Sequence, residues 1–221
     1  MINMSQQNLR KYTMEGLGTF FLVLTIGCCS IFSAASIAAA ALVTALVYVG
    51  GPLSGGHYNP AVTFGIWMRG SLDKQLVLPY FLSQIGGALA AAVLIRFSFF
   101  QPEVVATQLS KRLEMVNPFS PHHMLIAEFL FTFALVFVIL EVATNQVSRG
   151  NQYFGLAIGF TLLAGALSAG TISGAVFNPA VALSLPLMGL STWTNLWVYV
   201  VGTFAGGAAA AVVYNFLHPQ I

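Results

Sequence analysis

The stretch "SGGHYNPAVTFG" occupies residues 54–65, and a near-copy, "SGAVFNPAVALS", occupies residues 173–184. Each copy places Asn-Pro after a glycine-led lead-in, and each sits in an apolar neighbourhood. Asn is a good helix N-cap, and Pro is favoured at the first helical position, where its missing N–H costs nothing. Asn59-Pro60 and Asn178-Pro179 therefore read as helix starts. The apolar runs they open, 59–68 and 178–188, are about half of the ~20 residues needed to cross a bilayer. They read as two re-entrant half-helices.

The surroundings agree. The chain has 221 residues, of which 57% are hydrophobic and 6% charged. A soluble domain carries about 25% charged residues, so lipid rather than water must cover most of this surface. Six segments are long and apolar enough to span: roughly 10–32, 36–53, 76–98, 123–144, 152–171 and 194–216. Helices are expected, because they satisfy their own backbone in lipid. The first segment is too long for a signal-peptide core of about 7–15 residues. A net charge of +2 is too small to point to nucleic acid. Cys28 and Cys29 are adjacent and point in different directions on a helix, so they read as packing residues.

The two halves repeat. Glu15 opens one with Thr19 and Phe20 behind it, and Glu128 opens the other with Thr132 and Phe133 at the same offsets. Each half holds a glutamate-led span, a second span, a half-helix and a third span. Three is an odd number, so the halves, about 9–98 and 123–217 of a single 1–221 domain, lie in opposite orientations. Such inverted repeats put their functional site near the midplane, where the broken elements meet. Gly86-Gly87 and the pair Gly202 and Gly206 suit close helix packing. With both termini cytoplasmic, Arg10, Lys11, Arg69, Lys74 and Arg149 lie inside and Arg96, Lys111 and Arg112 outside, a modest positive-inside bias.

Two half-helices entering from opposite faces bring their N-termini together. Each end carries roughly half a positive charge and unpaired N–H donors. The amides of Asn59 and Asn178 add donors there. The lead-in segments, Gly55-Gly56-His57-Tyr58 and Gly174-Ala175-Val176-Phe177, read as extended chain turning carbonyls toward a water-filled path. Such a path suits small neutral polar solutes and repels cations.

With two Asn-Pro-Ala boxes, Asn59-Pro60-Ala61 and Asn178-Pro179-Ala180, each preceded by Ser-Gly-x-x-x in a six-span inverted repeat, the chain resembles the aquaporin (major intrinsic protein) family over almost its whole length. The resemblance implies an all-α membrane channel without cofactor or metal, assembled as a homotetramer in lipid with one pore per subunit. It also implies that Glu15 and Glu128 hold the re-entrant backbones; a proton relay is the sharper alternative for an ionisable group in a span.

The departure is at the outer constriction. By resemblance its four positions map to Ala39, Ala166, Ala175 and Val181, where the family usually has an arginine directly after the second box. The collar expected here has no arginine, histidine or aromatic ring, unless Lys111 or Arg112 from the 99–121 connection fills the gap. Water should pass, and with it glycerol, urea, ammonia, hydrogen peroxide or neutral metalloid hydroxides. A water channel with an unusual filter is the alternative within the family. An ion-coupled transporter would require ionisable groups at the helix breaks, which offer only His57. No nucleophile–base pair suggests an enzyme. His57 reads as a loop brace at the inner pore, Glu141 as interfacial, and His122 and His123 as part of a solvated outer loop. Short tails suggest a bacterial cytoplasmic membrane.

Overall fold

The computed structural model describes residues 4–29, 34–99, 107, 110 and 120–219. Its helices are α1 (Met4–Cys29), α2 (Ala35–Ser54), α3 (Pro60–Met68), α4 (Lys74–Leu94), α5 (Pro121–Ile139), α6 (Phe154–Ser173), α7 (Pro179–Met188) and α8 (Leu196–Leu217). Short π-helical turns, Ile95–Phe99 and Leu140–Thr144, extend α4 and α5, and a 3-10 turn, Trp193–Asn195, leads into α8. Among the described residues, six helices are long and apolar enough to cross a membrane. The two half-helices have 9 and 10 residues. At 1.5 Å per residue each is about 15 Å long, half of a ~30 Å hydrocarbon core.

The expected spans agree with these helices to within three residues, except at the N-terminus. There α1 begins at Met4 rather than near residue 10. Residues 5–8 are Ser, Gln, Gln and Asn, followed by Arg10 and Lys11, so the helix continues into the aqueous layer. An apolar run marks where lipid begins, not where the helix does. The end of the expected first span, 30–32, lies outside the described residues, as do Lys111 and Arg112. His122 and His123 are not in a loop. Pro121 starts α5, and both rings lie in its first turn against the Ser120 hydroxyl, with Nδ1 at 2.7 and 2.9 Å.

In the bundle α1 packs on α4, α5 on α8 and α2 on α6, while each half-helix packs on a long helix of the other half: α3 on α8 and α7 on α4. Glycine sets the closest approaches. A Cβ at Gly87 would lie 2.1 Å from the Gly16 carbonyl oxygen, and one at Gly206 would lie 2.4 Å from that of Phe129. Gly202 also packs tightly, its Cβ position 3.1 Å from the Leu125 oxygen, but Gly86 faces open space and takes no part. Large apolar side chains such as Leu78, Leu130, Phe160 and Phe216 are exposed around the outside, as a lipid-facing surface requires.

One end of the bundle carries the start of α1 and the end of α8. There Asn215 of α8 donates to the Met68 carbonyl at the end of α3 (3.3 Å), and His218 pairs with Glu141 at 3.0 Å. The Arg69 guanidinium covers the Tyr214 ring at 4.8 Å. Arg10, Lys11, Lys74 and Arg149 belong to this same end, and Arg96 to the other.

Candidate pore

Both half-helices are capped as the Asn-Pro pairs require. The Asn59 side-chain oxygen accepts from Ala61 N at 2.9 Å, and that of Asn178 from Ala180 N at 2.9 Å and Val181 N at 3.4 Å. The other end of each amide ties the two halves together. Asn59 Nδ2 donates to the Phe177 carbonyl (2.8 Å), and Asn178 Nδ2 donates to the Tyr58 carbonyl (2.9 Å). The two half-helix N-termini therefore meet at the middle of the molecule. A side-chain amide has two N–H donors, so each Asn keeps a second one beyond this clasp.

The lead-in segments are not simply extended. Gly55, Gly56 and Tyr58 have φ of 95, 64 and 51°, and Gly174, Ala175 and Phe177 have 87, 52 and 49°. Left-handed residues turn successive carbonyls about the chain, a course suited to glycine and strained elsewhere by roughly 1–2 kcal/mol per residue. What holds three non-glycine residues there is a buried bracket, built twice. Glu15 accepts from Ser54 Oγ (2.6 Å), His57 N (2.9 Å), Tyr58 N (2.7 Å) and Gln84 Nε2 (2.8 Å). Glu128 accepts from Ser173 Oγ (2.6 Å), Val176 N (2.9 Å) and Phe177 N (2.7 Å). Tyr80 and Tyr199 add phenolic bonds to the Ser54 and Ser173 carbonyls at 2.7 and 2.8 Å. These tyrosines, the two serines and Gln84 escaped the sequence reading. The tyrosines sit at matching positions in the two halves and the serines open the repeated motif, but Gln84 corresponds to Thr203 at that spacing and left no such signal.

The aromatic residues before each Asn serve as anchors. The Tyr58 ring fills the space a Cβ at Gly18 or Gly50 would need, and its hydroxyl donates to the Leu46 carbonyl at 2.8 Å. Phe177 packs on Phe131, ring centroids 5.7 Å apart. The Tyr58 and Phe177 carbonyls accept the Asn clasp, and both residues border the cavity.

A cavity of about 400 Å³ passes both Asn residues. It is lined along α2 from Ala35 to Val47 and along α6 from Ile158 to Thr171. Twelve helical steps advance about 18 Å, so the cavity runs along much of the bundle. Gly56 and His57 line it on one side of the Asn pair, and Gly174, Ala175 and Val176 on the other. Of the expected lead-in segments, only Gly55 is not on its wall. Ala39, Ala166, Ala175 and Val181 all face it, and none of them brings a charge.

His57 both lines the cavity and braces the loop. Thr63 Oγ1 donates to the Asn59 carbonyl (3.1 Å) and accepts from Gln84 Nε2 (2.9 Å). With that proton committed, His57 Nδ1, 3.0 Å away, is the donor, which leaves Nε2 as an acceptor.

A family model, major intrinsic protein, matches residues 3–214. Aquaporin NIP1-4 of Oryza sativa subsp. japonica is 37% identical, the match covering 97% of this chain and 79% of the relative. Aquaporin NIP1-2 of Arabidopsis thaliana is 33% identical over 98% and 77%, and aquaporin TIP1-1 of the same plant 35% over 85% and 74%. These are plant proteins, so they do not bear out the bacterial membrane expected from the short tails. Among solved structures, the aquaglyceroporin from Plasmodium falciparum shares the fold with a TM-score of 0.76 and 22% identity, covering 94% of this chain and 96% of that one. The chain belongs to the major intrinsic protein family, and like the aquaporins it matches it is a channel of the membrane and not an enzyme.

Proposed function

We propose that this chain is a passive channel whose open, apolar outer collar admits small uncharged solutes beside water. One observation carries the reading: Ala39, Ala166, Ala175 and Val181 face the same cavity as both Asn residues, and together they offer three methyl groups and one isopropyl. Among the described residues, a solute passing them meets neither a large group nor a fixed cation. It then meets carbonyls of the second lead-in segment, the spare N–H donors of Asn59 and Asn178, and the Gly56–His57 wall. Glycerol, urea, ammonia, hydrogen peroxide and neutral metalloid hydroxides fit this sequence of acceptors and donors.

Cations are opposed at the centre, where two helix N-termini contribute about half a positive charge each. They also face the cost of losing water against apolar walls. The end that carries Arg10, Lys11, Arg69, Lys74 and Arg149 is the cytoplasmic one on this reading. Glu15 and Glu128 are scaffold rather than proton relays, since the re-entrant backbones and neighbouring side chains supply their bonding partners. Four subunits assemble in lipid, each with its own pore.

The test is stopped-flow flux in proteoliposomes of wild type and Val181→Arg. The wild type is expected to pass glycerol and urea well above protein-free lipid. Arginine adds length, five donors and a permanent charge. It should lower glycerol and urea flux at least tenfold while water flux stays within a few-fold. Unchanged glycerol flux in Val181→Arg would show that residue 181 does not border the solute path.

A further inference from the structure

Much of the pore wall is paired across the repeat. The spacing that carries Asn59 to Asn178 also carries Ala39 to Ile158, Val47 to Ala166, Gly56 to Ala175 and Val62 to Val181. All of these residues line the one cavity. The outer collar therefore has a symmetry mate on the side of the α1 start and the α8 end, made of Val47, Gly56, Val62 and Ile158.

The two rings differ in bulk. The outer one presents three methyls and an isopropyl. Its mate presents two isopropyls and a sec-butyl, and Gly56 gives back one methyl. Accessibility runs the same way. The three outer alanines are the more open residues, Ala39 and Ala166 at 9% and Ala175 partly exposed, whereas Val47, Val62 and Ile158 are 4, 2 and 5% exposed and the outer Val181, at 3%, is as buried as its mate Val62. The bulk is also stiff. Val47, Val62 and Ile158 are β-branched residues in helices, where one χ1 rotamer dominates, so they cannot swing out of the path as a Leu or Met could.

We infer that the ring limiting solute size in this channel is the inner one, Val47, Gly56, Val62 and Ile158, rather than the outer collar. This rests on the channel reading above and sharpens it. The outer collar admits solutes by chemistry, and the inner ring sets the largest cross-section that completes the passage. Alternate substitution of the two rings separates their roles.

The experiment compares wild type, Ile158→Ala, Val47→Ala and Val181→Ala in proteoliposomes, with glycerol and erythritol as probes. Each solute permeability is divided by the water permeability of the same vesicles, which removes differences in protein density. Trimming Ile158 or Val47 should raise the erythritol-to-water ratio at least threefold, and Val181→Ala should raise it by less. An equal or larger rise in Val181→Ala, or no rise on trimming either inner residue, overturns the inference. Ile158→Val repeats the test with one methyl removed, should the alanine variant fail to fold. Wild-type water flux no faster than lipid alone would defeat the channel reading itself. Normal water flux with a fixed ratio would defeat only the inner ring.

Discussion

The two re-entrant loops share a skeleton and differ in their linings. Glutamate, serine and tyrosine recur at matching places, Glu15 with Ser54 and Tyr80, and Glu128 with Ser173 and Tyr199. Around that skeleton the first loop carries His57, Thr63 and Gln84, joined by bonds of 2.9–3.0 Å. The same positions of the second loop are Val176, Ala182 and Thr203. What both loops need in order to fold is duplicated, and so are the Asn donors; the loops part at the wall residue two before each Asn, His57 in one and Val176 in the other, and at the groups behind His57. Symmetry thus separates scaffold from selectivity without any knowledge of the solute.

The largest effect is expected where the loops are alike. Glu15→Ala and Glu128→Ala each leave two buried loop N–H groups without an acceptor, and an unsatisfied buried group costs about 1–3 kcal/mol. Both loops also hold left-handed residues that the same carboxylates help to fix. Each substitution should abolish water flux and sharply lower the thermal midpoint in detergent, to a similar degree in the two halves. A variant that kept its midpoint while losing selectivity would mean that its glutamate serves the solute path after all.

An exchange across the two linings should have a middling effect, and an unequal one. In His57→Val the Thr63 hydroxyl keeps both its bond to the Asn59 carbonyl and its bond from Gln84. Stability should fall by no more than about 1 kcal/mol, the net worth of one hydrogen bond, while water flux falls two- to five-fold. Val176→His inserts the same ring where Ala182 stands in place of Thr63. No hydroxyl receives it, so the cost should rise to about 1–3 kcal/mol. Equal losses of midpoint in the two variants would show that Thr63 gives His57 no special support.

This contrast also marks what a linear reading could reach. The half-helices were legible because an N-cap and a first-turn proline act within four residues of each other. The transmembrane helices were legible because lipid imposes a length, and α1 was misjudged only where it leaves lipid. Of the bracket, Glu15 and Glu128 were legible through the family resemblance, and their side-chain partners were not. Tyr80, Tyr199 and Gln84 lie inside apolar helices, and their partners are 26 to 69 positions away in the chain. Nor was the left-handed course of the lead-ins, since Tyr58, Ala175 and Phe177 carry side chains that ordinarily forbid it. Their conformation follows from Glu15 and Glu128, which is a tertiary effect.

The smallest expected effect is at the pair Gly56 and Ala175, where one loop solved the backbone problem with glycine and the other did not. Ala175 has φ of 52°, a conformation that penalises a Cβ by roughly 1–2 kcal/mol. Ala175→Gly removes that penalty but loosens the unfolded chain, which returns about 0.4–1 kcal/mol. The net gain should be between zero and about 1.5 kcal/mol, a small rise in thermal midpoint. Gly56→Ala is not its mirror image. The new Cβ would meet the penalty at φ of 64°, and it would also lie 3.2 Å from Gly51 N and 3.4 Å from Val47 Cα. Those neighbours are backbone atoms of α2 and cannot rotate away. Gly56→Ala should therefore lose more than Ala175→Gly gains, and its added methyl should lower solute flux by pushing on the inner ring. If instead the two midpoints shift by equal and opposite amounts, φ alone governs both sites, and the tight seating of the first loop against α2 contributes nothing.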